Sequence, residues 1–270
     1  MKEWLSVFSL CLIALIFPPL LRCETVQIAL LHTNDFHSNF LRADAVVATV
    51  ESLRKQYPHS LLFDAGDMFE SKNPKALLSR GEAIVEFMNR AGYDGMTLGD
   101  NAFDGFALED IQRCMKRFRF PVLSANLIIA ESNEPLALPY WIFSCGKASV
   151  GVIGVYDEEN LSPAGIAVAK AKPVVHYYVE KLKDKVDCLV VLSHEGLDKD
   201  RKMADSEKGI DVIIGGSSNA ELFTPEVVGE SLIVQAGSLG KYVGVLILHV
   251  DLDKNKIRTW KGWLQPTANE

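Results

Sequence analysis

Short apolar runs recur along the chain, and several of them end in a small group of polar residues. The first two runs, VQIALLHTND and SLLFDAGD, are each followed by a segment in which apolar residues have helical spacing. Val46, Val50, Leu53 and Tyr57 show that spacing after the first run, and Gly92 closes the later segment GEAIVEFMNRAG, as glycine commonly does at a helix end. This order predicts βαβ units, in which parallel strands are buried beneath helices.

The later part of the chain contains more strand-like runs than helical ones. After a helical segment at about Leu108 to Lys116 come the paired runs YWIFSCG and ASVGVIGVY, then a helix of about Val174 to Lys185. The runs CLVVLSHEG, DVIIGGSSN and SLIVQAGS follow, and the chain ends in a hairpin that turns at Asp253 to Lys256. We therefore expect one α/β domain, a two-sheet sandwich flanked by helices with the layer order αββα.

Residues 1–23 differ in character from the rest of the chain. A basic start precedes an apolar run that prolines interrupt, which is typical of a secretory signal peptide. We expect cleavage near Cys23, a domain of residues 24–270, and a secreted, periplasmic or cell-surface location with no membrane span after cleavage. An uncleaved anchor and a lipid on Cys23 are the alternatives, although Arg22 disfavours lipidation.

Charge and cysteine content restrict the classes of partner and site. The formal charge of −7 and the isoelectric point near 5.5 give no overall attraction to phosphate backbones, so nucleic acid is not expected as a partner. A small anionic substrate is compatible with this charge if a metal receives it. Cys114, Cys145 and Cys188 are widely spaced and show no zinc-binding pattern. The sequence leaves open one disulfide among them, because it does not select a pair.

Polar side chains gather where the predicted strands end, and ligands of open α/β sheets bind at the carboxyl ends of strands. The candidate residues are Asp35, His37, Asp67, Asp100, Asn101, His194, Ser217 and Asn219. Carboxylates mixed with imidazoles suit Zn, Mn or Fe. Each residue alone is a weak signal, because an Asp after a strand is more often a turn or cap residue. We interpret His32 as packing beside the site, and His59, His176 and His249 as ordinary histidines.

Five short motifs each follow an apolar strand, in the order NDxH, GD, GDN, SHxG and GG. This order of motifs resembles that of the 5'-nucleotidase family of metallophosphoesterases. The stretches VLSANL, VGVIGV and IVQAGSLGKYVG are also similar to the N-terminal domain of that family. The resemblance implies a metallophosphoesterase-like fold that acts on nucleotides or small phosphate esters. It implies two divalent ions, the first at Asp35, His37 and Asp67, the second at Asp67, Asp100 and His194. The family's C-terminal nucleotide-binding domain is expected to be absent.

Three histidine positions of the family pattern carry other residues here. Asn101 stands at the position of the family's catalytic histidine, and Ser217 and Asn219 stand at the two histidines of its GHxH motif. Asn101 has no proton to give near neutral pH, and hydroxyl and amide groups are poor ligands for these metals. Asp100 replaces an asparagine ligand of the family and keeps an oxygen. Asp104, in the same loop as Asn101, completes the candidate catalytic residues.

Two hypotheses follow from these residues. In the first, the chain keeps the family fold, has an eroded metal centre that binds one or two ions with weakened affinity, and acts as an exported binding or accessory protein. In the second, it is an active metal-dependent phosphohydrolase of nucleotides or small phosphate esters, because each metal position keeps three candidate ligands. The sequence favours the first, because the catalytic histidine and both GHxH histidines are replaced together.

Overall fold

The structure is a computed structural model that describes residues 24–159 and 164–267. The predicted signal peptide at residues 1–23, with its cleavage and lipidation alternatives at Cys23, lies outside the described residues. Over the two described ranges, no helix is both long enough and apolar enough to cross a membrane.

Strands and helices alternate along the described chain. The strands are β1 (Thr25–Thr33), β2 (Ser60–Asp64), β3 (Gly95–Thr97), β4 (Val122–Leu123), β5 (Leu127–Ile129), β6 (Glu134–Pro135), β7 (Tyr140–Cys145), β8 (Ala148–Tyr156), β9 (Ile166–Val168), β10 (Cys188–His194), β11 (Val212–Gly215), β12 (Glu226–Val228), β13 (Ser231–Val234), β14 (Tyr242–Asp251) and β15 (Lys256–Pro266). The α-helices are α1 (Ala43–Gln56), α2 (Pro74–Leu78), α3 (Glu82–Ala91), α4 (Leu108–Arg117), α5 (Ala171–Leu182) and α6 (Leu197–Ser206).

The strands of the described residues form two six-stranded sheets and one of three strands. The first large sheet has the order β15-β14-β1-β2-β3-β4, in which β1 to β4 are parallel. The second has the order β12-β13-β11-β10-β8-β7, in which β8, β10, β11 and β13 are parallel. The carboxyl ends of β1, β2 and β3 therefore lie at one edge of their sheet, and those of β10 and β11 lie at one edge of the other.

The first sheet is apolar on both faces. Ile28 and Leu30 of β1 belong to the core between the sheets, together with residues of β8, β10 and β11. Ala29 and Leu31 belong to the core beneath α1, α3 and α4. All four side chains are at most 1% exposed. Burial of a leucine or isoleucine stabilises a fold by about 1.5 to 3 kcal/mol, so both faces of β1 hold the layers together.

The second sheet repeats this arrangement. Val190 and Leu192 of β10 belong to the core between the sheets, whereas Leu189 and Val191 belong to a core that includes residues of α5 and α6. The layer order is thus helix, sheet, sheet, helix, which confirms the predicted αββα sandwich.

Several short or polar elements differ from the sequence predictions. The helices α2 and α6 and the small sheet of β5, β6 and β9 were not predicted. In α6, LDKDRKMADS, only three residues are buried, so its apolar signal is weak. The helix predicted at Val174 to Lys185 is found at Ala171–Leu182. Gly92 does close α3, with a φ of 72° and its N–H donating to the carbonyl of Met88.

Cys114, Cys145 and Cys188 are free and buried, so the disulfide that the sequence left open is not formed among them. Burial raises the pKa of Cys114 and of Cys145 to about 11, and it raises the pKa of Cys188 well above its ordinary value. All three therefore behave as small apolar residues of the core.

Candidate metal centre

The polar residues at the strand ends converge where the two sheets meet. Asp35 and His37 follow β1, Asp67 follows β2, and Asp100 follows β3. His194 is the last residue of β10, in the second sheet. One ligand atom from each of Asp35, His37 and Asp67 lies within 4.8 Å of the others, and the same holds for Asp67, Asp100 and His194. We call these the first and the second ligand set, and Asp67 belongs to both.

In the first ligand set, the carboxylate of Asp35 is fixed by two donors. Asp35 is only 1% exposed, and it accepts hydrogen bonds from Asn34 Nδ2 (2.7 Å) and from the backbone N–H of Ser217 (3.1 Å). Burial raises the pKa of Asp35 above its ordinary value. His37 Nε2 lies 4.0 Å from Asp35 Oδ1. The set therefore has one rigidly held carboxylate with an imidazole beside it.

In the second ligand set, the histidine is completely buried. His194 Nδ1 lies 2.7 Å from the carbonyl oxygen of Ala65, and because a carbonyl only accepts, this nitrogen carries a hydrogen. His194 Nε2 faces Asp100 Oδ1 at 3.2 Å and Asp67 Oδ1 at 3.4 Å. Burial acts to lower the pKa of His194, but the two carboxylates outweigh burial and hold that pKa well above its ordinary value. The hydrogen bond with His194 in turn lowers the pKa of Asp100.

Five of the predicted site residues have a left-handed backbone. Their φ angles are 51° at Asp35, 50° at His37, 54° at Asp67, 70° at Ser217 and 54° at Asn219. Such a conformation costs a non-glycine residue on the order of 1 kcal/mol and persists where the surroundings impose it. Here the backbone N–H groups of Asp35 and His37 donate to carbonyls of the loop after β2, at 3.0 and 2.9 Å. Backbone strain of this kind concentrates at functional sites.

Two glycines allow the loops to approach the ligands. A Cβ at Gly99 would lie 2.1 Å from Asp67 Oδ1, and a Cβ at Gly66 would lie 2.5 Å from His194 Nδ1. Only a residue without a side chain fits at either place. The sequence shows both glycines as parts of its GD motifs, but the reason for them is visible only in three dimensions.

Asn101 lies between the two ligand sets. Its side-chain Nδ2 is 2.8 Å from Asp67 Oδ2 and 3.2 Å from His37 Nδ1. Its backbone N–H donates to Asp67 Oδ1 at 3.0 Å. The amide that stands at the family's catalytic position is thus in contact with residues of the first ligand set.

The other candidate positions differ in how close they come to the ligands. Ser217 reaches the centre through its backbone N–H, not through its hydroxyl. Asn219 is exposed, and its Nδ2 lies 3.5 Å from the carbonyl of Ser217 in the same loop. Asp104 is exposed, and its backbone N–H donates to the carbonyl of Asn101 at 3.2 Å. Among the described residues, none of these three belongs to a ligand set.

Sequence reasoning missed two residues that support the ligands. Asn34 is 2% exposed and donates through Nδ2 both to Asp35 Oδ2 and to the carbonyl of Gly237, at 2.7 and 2.6 Å. Glu70 Oε2 lies 3.7 Å from His37 Nδ1. Asn34 directly precedes Asp35 at the end of a strand, and this position is the sequence signal that could have identified it as a residue that orients a ligand. Glu70 has no comparable signal in the sequence.

Two buried titratable groups lie next to the centre without joining it. His32 is opposite Gly244 in the ladder of β1 and β14, and burial lowers its pKa to about 3, so the ring is neutral. Asp64 is completely buried and accepts hydrogen bonds from Thr33 Oγ1 (2.6 Å) and from the backbone N–H of Gly66 (2.9 Å). Burial raises the pKa of Asp64 to about 8.

Known proteins are similar to most of this chain, some in sequence and some in fold. Bovine 5'-nucleotidase is 32% identical over 280 residues, which cover 87% of this chain and 48% of the bovine protein. The crystal structure of a 5'-nucleotidase precursor from Thermus thermophilus is 28% identical, with a TM-score of 0.74 over 90% of this chain and 55% of that one. The chain belongs to the 5'-nucleotidase family of metallophosphoesterases. The family predicted from the motifs is thereby confirmed.

A second structural likeness concerns the fold alone. The sulfate thiohydrolase SoxB of Thermus thermophilus has a TM-score of 0.80 at 20% identity, over 89% of this chain and 56% of that one. No protein-family model matches the sequence. This 5'-nucleotidase-family chain spans about half the length of the curated relatives it matches.

The donor atoms of this 5'-nucleotidase-family centre fit divalent metals. Each ligand set offers two carboxylates and one imidazole, a combination that Zn, Mn and Fe accept. Asp67 belongs to both sets; its Oδ1 faces His194, and its Oδ2 accepts from the side-chain amide of Asn101. The hydrogen bond of His194 with the carbonyl of Ala65 is of the kind that orients histidine ligands in metalloproteins.

Proposed function

We propose that this protein binds a divalent metal and a nucleotide or small phosphate ester outside the cytoplasm, and hydrolyses the ester only slowly. The observation that carries the proposal is the position of Asn101. An amide lies 2.8 Å from Asp67 and 3.2 Å from His37, at the position where the family resemblance places a catalytic imidazole. An amide does not exchange a proton near neutral pH, so it cannot protonate a leaving oxygen.

The residues of the centre support binding more than turnover. The centre offers two candidate ligand sets for metal, which when bound would polarise a phosphoryl oxygen and activate water. The N–H bonds of the Asn101 amide are directed at Asp67 and His37, so they are not aimed at a substrate. A phosphate ester would therefore be held at the centre without a side chain at this position to assist its cleavage.

An active phosphohydrolase is the second candidate. It is favoured by His194, which is buried and oriented by its hydrogen bond with the carbonyl of Ala65. Three protein ligands are sufficient for a catalytic zinc ion in other folds. On this alternative, water rather than a protein side chain would supply the proton to the leaving oxygen.

Hydrolysis of AMP and of p-nitrophenyl phosphate, measured in added Mn²⁺, Zn²⁺ or Co²⁺, tests the proposal. We expect slow turnover by the wild type, none by Asp67→Asn, and a rate higher by roughly 10² to 10⁴ for Asn101→His, the usual contribution of general acid catalysis. Metal-dependent binding of AMP, measured by calorimetry, should be retained by the wild type and lost in Asp67→Asn.

Asp205→Asn is a matched control, because it makes the same chemical change at an exposed position of α6. Its metal binding and turnover should equal those of the wild type. A wild-type rate equal to or above that of Asn101→His would contradict the proposal and support the active phosphohydrolase.

A further inference from the structure

The side-chain amide of Asn101 forms hydrogen bonds with two residues of the first ligand set, Asp67 and His37. Nδ2 is the atom in contact both with Asp67 Oδ2 (2.8 Å) and with His37 Nδ1 (3.2 Å). An ionised carboxylate only accepts hydrogen bonds, so Asp67 requires the nitrogen of the amide, and not its oxygen, at this place. The backbone N–H of Asn101, which donates to Asp67 Oδ1 at 3.0 Å, fixes the loop in the same position.

This contact determines what His37 can offer to an ion. Because the atom facing His37 Nδ1 is an N–H donor, Nδ1 must accept, and the hydrogen of the neutral ring then lies on Nε2. Nε2 is on the side of Asp35, 4.0 Å from its Oδ1. A metal ligand needs a nitrogen with a free lone pair. A neutral His37 that ligates through Nε2 must move its hydrogen to Nδ1, where it would face the N–H of Asn101 instead of an acceptor.

The second ligand set has the opposite arrangement. His194 donates from Nδ1 to the carbonyl of Ala65 at 2.7 Å, which leaves Nε2 directed at Asp67 Oδ1 and Asp100 Oδ1. The two imidazoles of one centre are therefore fixed differently. When His194 ligates a metal through Nε2, its Nδ1 hydrogen keeps the bond with the carbonyl of Ala65, whereas the Nδ1 hydrogen of a ligating His37 would meet the N–H donor of Asn101.

We propose that Asn101 closes the first ligand set to metal, so that the chain binds one divalent ion, at Asp67, Asp100 and His194, instead of two. The inference rests on the metal binding of the proposed function. On this inference, Asn101 accounts both for the absence of a general acid at the catalytic position and for the binding of a single ion.

Metal stoichiometry tests this inference without reference to turnover. Native mass spectrometry and calorimetry with Mn²⁺ and with Zn²⁺ should give one ion per wild-type chain. Asn101→Ala keeps the backbone N–H to Asp67 and removes the amide, so it should bind two, as should Asn101→Ser. Asp100→Ala should bind none with comparable affinity, because it removes a ligand of the open set.

Asn89→Ala is the matched control, since it removes an amide of α3 that donates to the carbonyl of Arg117 and belongs to neither ligand set, and it should bind one ion. Nitrogen-15 spectra of the metal-free histidine rings give a second measurement on the wild type alone: the neutral ring of His37 should show its hydrogen on Nε2.

Two ions in the wild type, or a single ion in both Asn101 variants, would overturn the inference, as would a hydrogen on Nδ1 of His37. Two ions would leave the proposed function standing. If the wild type binds no ion, both the proposed function and the single-ion inference are wrong, because both require metal binding. The rate of phosphate ester turnover tests only the proposed function.

Discussion

Asp67 belongs to both ligand sets, and its oxygens have different partners: Oδ1 faces His194 and accepts from the backbone N–H of Asn101, and Oδ2 accepts from the side-chain amide of Asn101. A change at Asp67 therefore acts on both sets, whereas a change at Asn101 acts mainly on the side of His37. This asymmetry is why Asp67→Asn tests the whole centre and Asn101→Ala tests one half of it.

Asp64, beneath the centre, should give the stability of the protein a distinct pH dependence. Its folded pKa is raised to about 8, so the native state keeps a proton that the unfolded chain releases near pH 4. The free energy of unfolding should then decrease as pH rises from about 4 to about 8, by at most about 1.4 kcal/mol per pH unit from this group. We expect Asp64→Asn to remove this decrease, because an amide stays neutral and can still accept from Gly66 and pair with Thr33.

Urea unfolding curves at pH 5, 7 and 9 measure the effect. The difference in unfolding free energy between Asp64→Asn and the wild type should increase in favour of the variant as pH rises. The exposed Asp205→Asn should follow the wild type at each pH. Parallel pH profiles for Asp64→Asn and the wild type would show that Asp64 is ionised in the folded protein.

At the scale of the elements, the end of β3 must come close to the loop after β2 for the ligands to meet. A Cβ at Gly99 would lie 2.1 Å from Asp67 Oδ1, so Gly99→Ala should displace that carboxylate. We expect the affinity for Mn²⁺ to fall by about 10- to 100-fold, the usual effect of changing a residue that supports a ligand. Calorimetric titration with Mn²⁺ measures it.

Gly92→Ala serves as the comparison for Gly99→Ala. Its Cβ would meet nothing within 4 Å, but its φ of 72° suits glycine, so it should cost about 1 kcal/mol of stability and leave metal affinity unchanged. If both variants lose metal affinity equally, the effect follows from general destabilisation and not from contact with Asp67.

The elements also show how far sequence patterns reach. The long buried strands and the helices α1 and α3 were predictable, because apolar residues on both faces or on one helical stripe leave a clear period. The convergence of Asp35, Asp67 and Asp100 followed from the rule that parallel strands of one sheet end at one edge, whereas the approach of His194 also depends on how the second sheet packs on the first. The polar helix α6 has too little apolar periodicity to be recognised. The contact of Asn101 with His37, and that of His194 with Ala65, depend on packing between distant segments, which no local pattern encodes.

At the scale of the whole molecule, the two sheets contribute to one centre. Asp35, His37, Asp67 and Asp100 come from loops of the first sheet, and His194 comes from the second. The core between the sheets, which includes Leu30 and Leu192, therefore sets the distance between the ligands as well as the stability of the fold. Substitutions in that core would therefore change the distances between the ligands even where the substituted residue does not contact a ligand.

We also expect the whole chain to be exported. When it is expressed with residues 1–23 in a secreting host, the protein recovered outside the cytoplasm should begin close to residue 24, because a basic start and an apolar run direct secretion and cleavage. N-terminal sequencing of the fractionated protein measures this. Leu15→Arg, which places a charge in the apolar run, should leave the protein inside the cell. Exported protein that still begins at Met1 would identify an uncleaved anchor instead.

The three cysteines of the described domain are at most 3% exposed, and burial disfavours their thiolates. Thiol–disulfide exchange proceeds through the thiolate and needs access to it. The folded domain is consequently indifferent to the redox potential of its surroundings. We expect these three thiols to stay in the same covalent state in a reducing cytosol and in an oxidising extracellular space.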